Sequence, residues 1–297
     1  MTPPVRPPPP LTATKGPPQV YAALLVKAAS GPDGNALATL AIRLAQRFGM
    51  ALTGVAAADL TTPLTAPMVG PVVVSGILDR QQAEIEAELE EAERDFRAAA
   101  NEYGYPVAWH ASVGNPASVL AFEARAADLV IIGRPSEAAS VRPGRQADPG
   151  DVLMRAGRPV LVVPPGLSHL EAANIVVAWK DTREARRAVA DALPVLRQAS
   201  SVLVLEVCRS ADTLEAAASG VRDVAAYLAR YGVNATAEHR PLREATVVKE
   251  LLLAAEEHRA DLIVAGGYGH ARLREWAFGG VTHALIHHTP KCCLLSH

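Results

Sequence analysis

The residues best suited by type and spacing to do chemistry are glycines in the last quarter of the chain. Gly266-Gly267-Tyr268-Gly269 is followed, after nine residues, by Gly279-Gly280-Val281-Thr282, which opens a helical stretch. Glycine lets backbone approach an anion closely, and the N–H groups of a loop and a helix N-terminus together make a phosphate cradle. The same glycines would also serve to end a strand and permit close packing, and both readings stand at this level. The pattern is not a Walker A loop, because no Gly-Lys-Ser/Thr follows. Nor is it the dinucleotide fingerprint, which belongs after a first strand. No Gly-x-Ser-x-Gly elbow or ordered Ser, His and Asp set occurs, so no catalytic residue is predicted. His283 and His287 share a helix face, but no third ligand accompanies them, so no metal site is predicted. His287 and His288 would instead complement the end of the helix dipole. Cys292 and Cys293 fall in a predicted buried strand and read as small hydrophobes.

Elements that could position the glycine loop follow from periodicity. Short β-branched runs alternate with amphipathic stretches, the pattern of βαβ units around a buried parallel sheet. Strands are predicted at 22–27, 51–55, 107–110, 128–132 and 160–163, and again at 175–179, 202–207, 233–238, 261–265 and 291–295. The second series carries helices whose apolar faces are Val189, Ala192, Leu193 and Leu196, and Val248, Leu251, Leu252 and Ala255. A long acidic helix over 77–100 places Ile85, Leu89, Ala92 and Phe96 on one side and its glutamates toward water.

The chain also resembles itself. Ala127-Asp-Leu-Val-Ile-Ile-Gly133 matches Ala260-Asp-Leu-Ile-Val-Ala-Gly266 at an offset of 133, and residues 21–27 match 174–180 at an offset of 153. The difference of 20 predicts an insertion in the first copy, most naturally a loop over 59–76, and aligns Lys27 with Lys180 as an inherited pair. Two five-stranded domains are expected, at 19–165 and 172–297, each with its own sheet. They would pack as a pseudo-dimer because each fifth strand is an edge in need of cover. One continuous sheet would contradict that. The proline-rich residues 1–18 read as a disordered leader.

The Gly266-x2-Gly269-x9-Gly279 spacing, the Ala-Asp-Leu-Ile-Val lead-in at 260–264, Ala-Trp-Lys-Asp-Thr-Arg-Glu-Ala at 178–185 and the Leu-Leu-Ser-His terminus together resemble the universal stress protein family, in a tandem form. The resemblance covers about residues 19–297 and is more specific in the second copy. It implies a doubly wound α/β sheet of five parallel strands in the order 3-2-1-4-5, pairing of two such domains through the fifth strand, and an ATP site between the first and fourth strands. Carried across, Ala178, Lys180 and Val207 would surround adenine and ribose. Gly266, Tyr268, Gly269, Gly279, Gly280, Val281 and Thr282 would cradle the phosphates, with Mg2+ accompanying them. Two departures are evident. Lys180 stands where the family has aspartate, with Asp181 beside it, one register step from restoring a carboxylate. Gly280 stands where the family has Ser or Thr, with Thr282 a partial substitute.

The first copy's equivalent loop is Gly133-Arg-Pro-Ser136 and then 13 residues to Gly150, with Arg134, Arg142, Arg145, Asp148 and Asp151 in or beside it. Asp151 would open its last helix and repel phosphate there, so this copy is expected to be structural.

Composition excludes other classes. Lys plus Arg total 29 against 31 Asp plus Glu, a net charge of −2, so no basic field exists for nucleic acid. No apolar run reaches membrane-spanning length, and three cysteines make neither a disulfide framework nor a C-x-x-C site. A cytoplasmic protein is expected. The leading functional expectation is a stress-response or regulatory protein binding adenine nucleotide in its second copy. The alternative is a nucleotide-free scaffold for protein–protein contacts, and a third is an adenylating or phosphate-cleaving enzyme. Partner, signal and any further homodimer are not decided by the residues.

Overall fold

The computed structural model describes residues 21–61, 71–134, 144–208, 214–244, 246–268 and 280–297. The first half runs β1 (Ala23–Lys27), α1 (Gly31–Phe48), β2 (Ala51–Ala58), α2 (Pro71–Glu102), β3 (Val107–Val113), α3 (Pro116–Glu123), β4 (Leu129–Gly133), α4 (Pro149–Ala156) and β5 (Val160–Val163). The second repeats it as β6 (Asn174–Ala178), α5 (Arg183–Leu196), β7 (Ser201–Cys208), α6 (Leu214–Ala229), β8 (Ala235–Pro241), α7 (Val247–Glu257), β9 (Leu262–Gly266), α8 (Gly280–His287) and β10 (Cys292–Ser296). Predicted and observed strands overlap throughout; the inner ones are contiguous apolar runs buried on both faces, as parallel strands under helices must be, whereas the edge strands β3 and β8 are largely exposed.

The strands form one ten-stranded sheet in the order β3-β2-β1-β4-β5-β10-β9-β6-β7-β8. Within each half the order is 3-2-1-4-5 and the pairing is parallel. The expectation of two separate sheets is corrected. β5 and β10 pair antiparallel, Leu161 against Leu294 and Val162 against Cys293, so each edge strand covers the other by main-chain hydrogen bonds. The strand ends of the two halves consequently point to opposite ends of the sheet.

One face carries α1, α2, α5 and α6, the other α3, α4, α7 and α8, each over its own core cluster. Side chains such as Val26, Ile131, Val204 and Ile263 are essentially inaccessible. Each contributes about 1.5–3 kcal/mol by burial. The long acidic helix behaves as its pattern predicts, with Ile85, Ala92 and Phe96 buried, but it begins at Pro71, so the 59–76 stretch is not wholly a loop.

The pairing register also corrects the internal alignment. Leu24 pairs with Leu129 where Ile175 pairs with Leu262. Ala28 donates its N–H to Val55 O as Trp179 does to Leu205 O, both at 2.8 Å. The first strands are therefore related by an offset of 151, not 153, and the structural counterpart of Lys27 is Ala178, not Lys180. The two lysines are not an inherited pair. Asp128 and Asp261 do correspond, each accepting a main-chain N–H at the foot of a first strand, from Ala22 at 2.7 Å and Ala172 at 2.8 Å.

Candidate functional site

The second half's strand ends bring most of the predicted residues together. Ala178 at the end of β6, Val207 near the end of β7, Tyr268 just past β9 and Val281 in the first turn of α8 all lie partly buried against the same core face. Gly266 ends β9 with no room to spare: a Cβ there would lie 2.5 Å from the Ala185 nitrogen and 2.9 Å from the Glu184 Cβ. This glycine lets the N-terminus of α5 rest on the strand. Tyr268 has a left-handed backbone, φ 54°, and its N–H donates to the Thr282 hydroxyl at 3.3 Å, joining strand end to helix start. Thr282 is buried, whereas Gly280 faces open space. Gly269 and Gly279 lie outside the described residues.

Lys180 and Asp181 are on an exposed turn between β6 and α5. Lys180 makes no ion pair among the described residues; the carboxyl that feels its charge is Glu206 on β7, whose pKa is raised by burial, lowered in part by Lys180 and raised by Asp181. Asp181 does not restore a carboxylate to the crevice, because it pairs with Arg186. The α5 N-terminus is capped by Thr182, which accepts the Ala185 N–H at 3.3 Å. In its first turn sits Glu184, only 2% exposed. Burial opposes ionisation of Glu184, but Arg183, its own backbone N–H and the Thr182 hydroxyl outweigh that and hold its pKa below the usual carboxylate range. A fixed anion therefore occupies the positive end of α5 beside Gly266. Sequence reasoning missed this group. The Thr-Arg-Glu run after the first strand was its signal, as an acid in the first turn of a capped helix.

Tyr268 also reaches the other half. A Cβ on Gly150 would lie 2.3 Å from its hydroxyl, and one on Gly267 would lie 2.5 Å from the Leu153 Cδ2 on α4. Its pKa is pushed up to about 12 by burial and by Asp148 and Asp151. Asp148 caps α4, accepting the Asp151 N–H at 3.0 Å, so Asp148 and not Asp151 opens that helix. Asp148 also lies 3.7 Å from His287 Nε2, and Arg134 donates to the Thr289 carbonyl. These contacts stitch the halves together. The His287 pKa is lowered chiefly by burial, against the pull of Asp148. The His283 and His287 rings are 4.4 Å apart, and no cluster of three metal-ligating side chains occurs among the described residues. Burial pushes the Cys292 thiol up to about 12 and Cys293 higher still, which suits packing and not nucleophilic attack.

In the first half the equivalent crevice is covered by its own chain. Residues 144–147 cross the end of β2: the Asp59 N–H donates to Gly144 O at 2.8 Å, Arg145 donates to Asp59 O at 3.0 Å and pairs with Glu88 at 2.7 Å, and Ala147 is buried in the core. Gly144, φ 77°, supplies the turn that this crossing needs.

Residues 172–297 match the model of the universal stress protein family. The architecture of the whole chain is similar to that of a universal stress protein from Archaeoglobus fulgidus DSM 4304, at 16% identity and a TM-score of 0.65, over 93% of this chain and 96% of that one. A functionally unknown protein from Pseudomonas aeruginosa PAO1 is similar at 15% identity and a TM-score of 0.56, over 93% and 92%. Such likeness shows a shared fold across both halves. No curated protein matches the sequence significantly. No helix among the described residues is long and apolar enough to cross a membrane.

Proposed function

We propose that the universal stress protein half, residues 172–297, binds an adenine nucleotide, with ATP and its Mg2+ as the first candidate. The chain would then act as a stress-response or regulatory protein whose nucleotide occupancy alters a surface read by a protein partner. The observation that carries this reading is the convergence of Ala178, Val207, Tyr268 and Val281 on one core face at the carboxyl ends of parallel strands, where the winding reverses. Base and ribose would lie against Ala178 and Val207, and phosphate against the backbone from Gly266 to Gly269 and from Gly279 to Thr282. Lys180, exposed and free of an ion pair among the described residues, is within the electrostatic reach of that crevice and would screen phosphate charge. The first half, residues 19–165, would be structural, its crevice crossed by residues 144–147.

A second reading, a nucleotide-free scaffold, is favoured by one specific feature. Buried Glu184 already fills the α5 N-terminus, and the Tyr268 N–H is already taken by Thr282. Calorimetry of the full chain with ATP, with and without Mg2+, separates the two. One site per chain is expected, lost in Val207→Glu, which puts a carboxylate where the base would rest. Two equivalent sites, or unchanged binding in Val207→Glu, would reject the assignment. No heat at all, with no nucleotide released from freshly purified protein in mass spectrometry, would favour the scaffold.

A further inference from the structure

The first half's crevice holds a group that its structural role does not use. Lys27 is the last residue of β1, flanked by β2 and β4 at the point where the winding of that half reverses. Its side chain lies on the face of Leu25, two residues earlier, and therefore over the core that α3 and α4 share with Val130, Ile132 and Ala147. It is mostly buried, and no carboxylate or other hydrogen-bonding partner meets its amine among the described residues. Burial alone lowers its pKa, with no charged group contributing. An unpaired ammonium in such a place costs stability that a methionine or leucine would not. The structural counterpart in the other half is Ala178, so the duplication does not require a cation there.

We propose that Lys27 is an oxyanion receptor, and that the first half takes a small phosphate-class anion at the end of β1. The ligand is small because residues 144–147 cross the end of β2, beside the end of β1. Two of the acids near that crossing are already engaged. Glu88 pairs with Arg145, and Asp148 caps α4 and faces His287. The ammonium then has no counter-ion among the described residues, and a bound oxyanion supplies one. This site is separate from the nucleotide site proposed for residues 172–297.

The test is thermal unfolding of the full chain against inorganic phosphate at constant ionic strength, with AMP in a parallel series, for wild type, Lys27→Met and Lys27→Gln. Phosphate is expected to raise the melting temperature of wild type, with the half-maximal concentration shifted at least about tenfold upward in both variants. Val207→Glu should leave the phosphate response unchanged, which separates this site from the nucleotide site. A response to AMP but not to phosphate in wild type, lost in Lys27→Met, would assign the anion to a nucleoside monophosphate and overturn the small-ligand claim. An equal phosphate response in wild type and both variants, or none in wild type, would overturn the proposal. Lys27→Met would then only raise stability, as removal of a buried unpaired charge should.

Discussion

The two halves share strand order and helix placement and yet treat their strand ends in opposite ways. In the second half the β9 end is pressed onto α5, an internal carboxylate fills that helix N-terminus, and Gly280 faces open space. In the first half residues 144–147 are laid over the end of β2, and Lys27, beneath that end of the sheet, meets no counter-ion among the described residues. The sheet is thus indifferent to what its strand ends carry, because main-chain pairing holds it together. The few side chains beyond the last ladder bond set the electrostatics.

The equivalent glycines Gly133 and Gly266 give the sharpest way to break this comparison. A Cβ at Gly133 would meet only the Leu37 Cδ2 at 3.5 Å, whereas at Gly266 it would meet main chain at 2.5 Å. Gly266→Ala should therefore cost about 2–3 kcal/mol of unfolding free energy and Gly133→Ala less than about 1 kcal/mol, measured by urea unfolding. Equal costs would mean that α5 is not pressed on its strand.

Glu184→Gln should be next in size, at about 1–2 kcal/mol near neutral pH, since a buried acceptor held by Arg183 is weakened. Its folded pKa lies below its unfolded value, so the stability it contributes is present above the ordinary carboxylate range and is lost as pH falls through the folded value. The difference between wild type and Glu184→Gln should accordingly shrink in acid. A constant difference from neutral pH to about pH 3 would show that the carboxylate is not held ionised.

The caps compare the two helix starts. Thr182→Ala in α5 and Asp148→Ala in α4 should each cost about 1 kcal/mol in chemical denaturation. The Asp148 variant should lose slightly more, because the Asp148–His287 approach across the seam goes with it. Smallest of all, Lys180→Ala should leave stability within about 0.5 kcal/mol, because Lys180 is exposed and unpaired. If the proposed site holds ATP, it should weaken that binding a few-fold at low salt and less at high salt, by calorimetry. A larger loss of ATP than of adenosine binding, fading with salt, places the amine on phosphate; tighter binding in Lys180→Asp would make the native lysine a plug.

Much of the architecture was legible beforehand. All ten strands, the long helix carrying Ile85 and Phe96, and the strand order came from apolar runs, helical periodicity and family resemblance. These patterns reflect short-range sterics and the need to bury each face, so they survive in the linear sequence. Most of the predicted site residues are also brought together, since they follow strands whose ends share one crevice. Among the described ones Lys180 and Asp181 are the exceptions, since the exposed turn presents them to solvent; Gly269 and Gly279 lie outside the described residues.

What the sequence determined alone is therefore the repeated βαβ unit, its buried strands and its capped helix starts. Only the tertiary structure decided that Leu161 and Leu294 join the halves into one sheet, because edge pairing links residues over a hundred positions apart and leaves no local pattern. Only it showed that Lys27 corresponds to Ala178, because a two-residue slip in apolar strands keeps the same alternation of faces and is invisible to sequence matching. The burial of Glu184 beside Gly266 and the path of residues 144–147 over Asp59 were likewise decided by packing, which sets the charge at each strand end from neighbours distant in the chain.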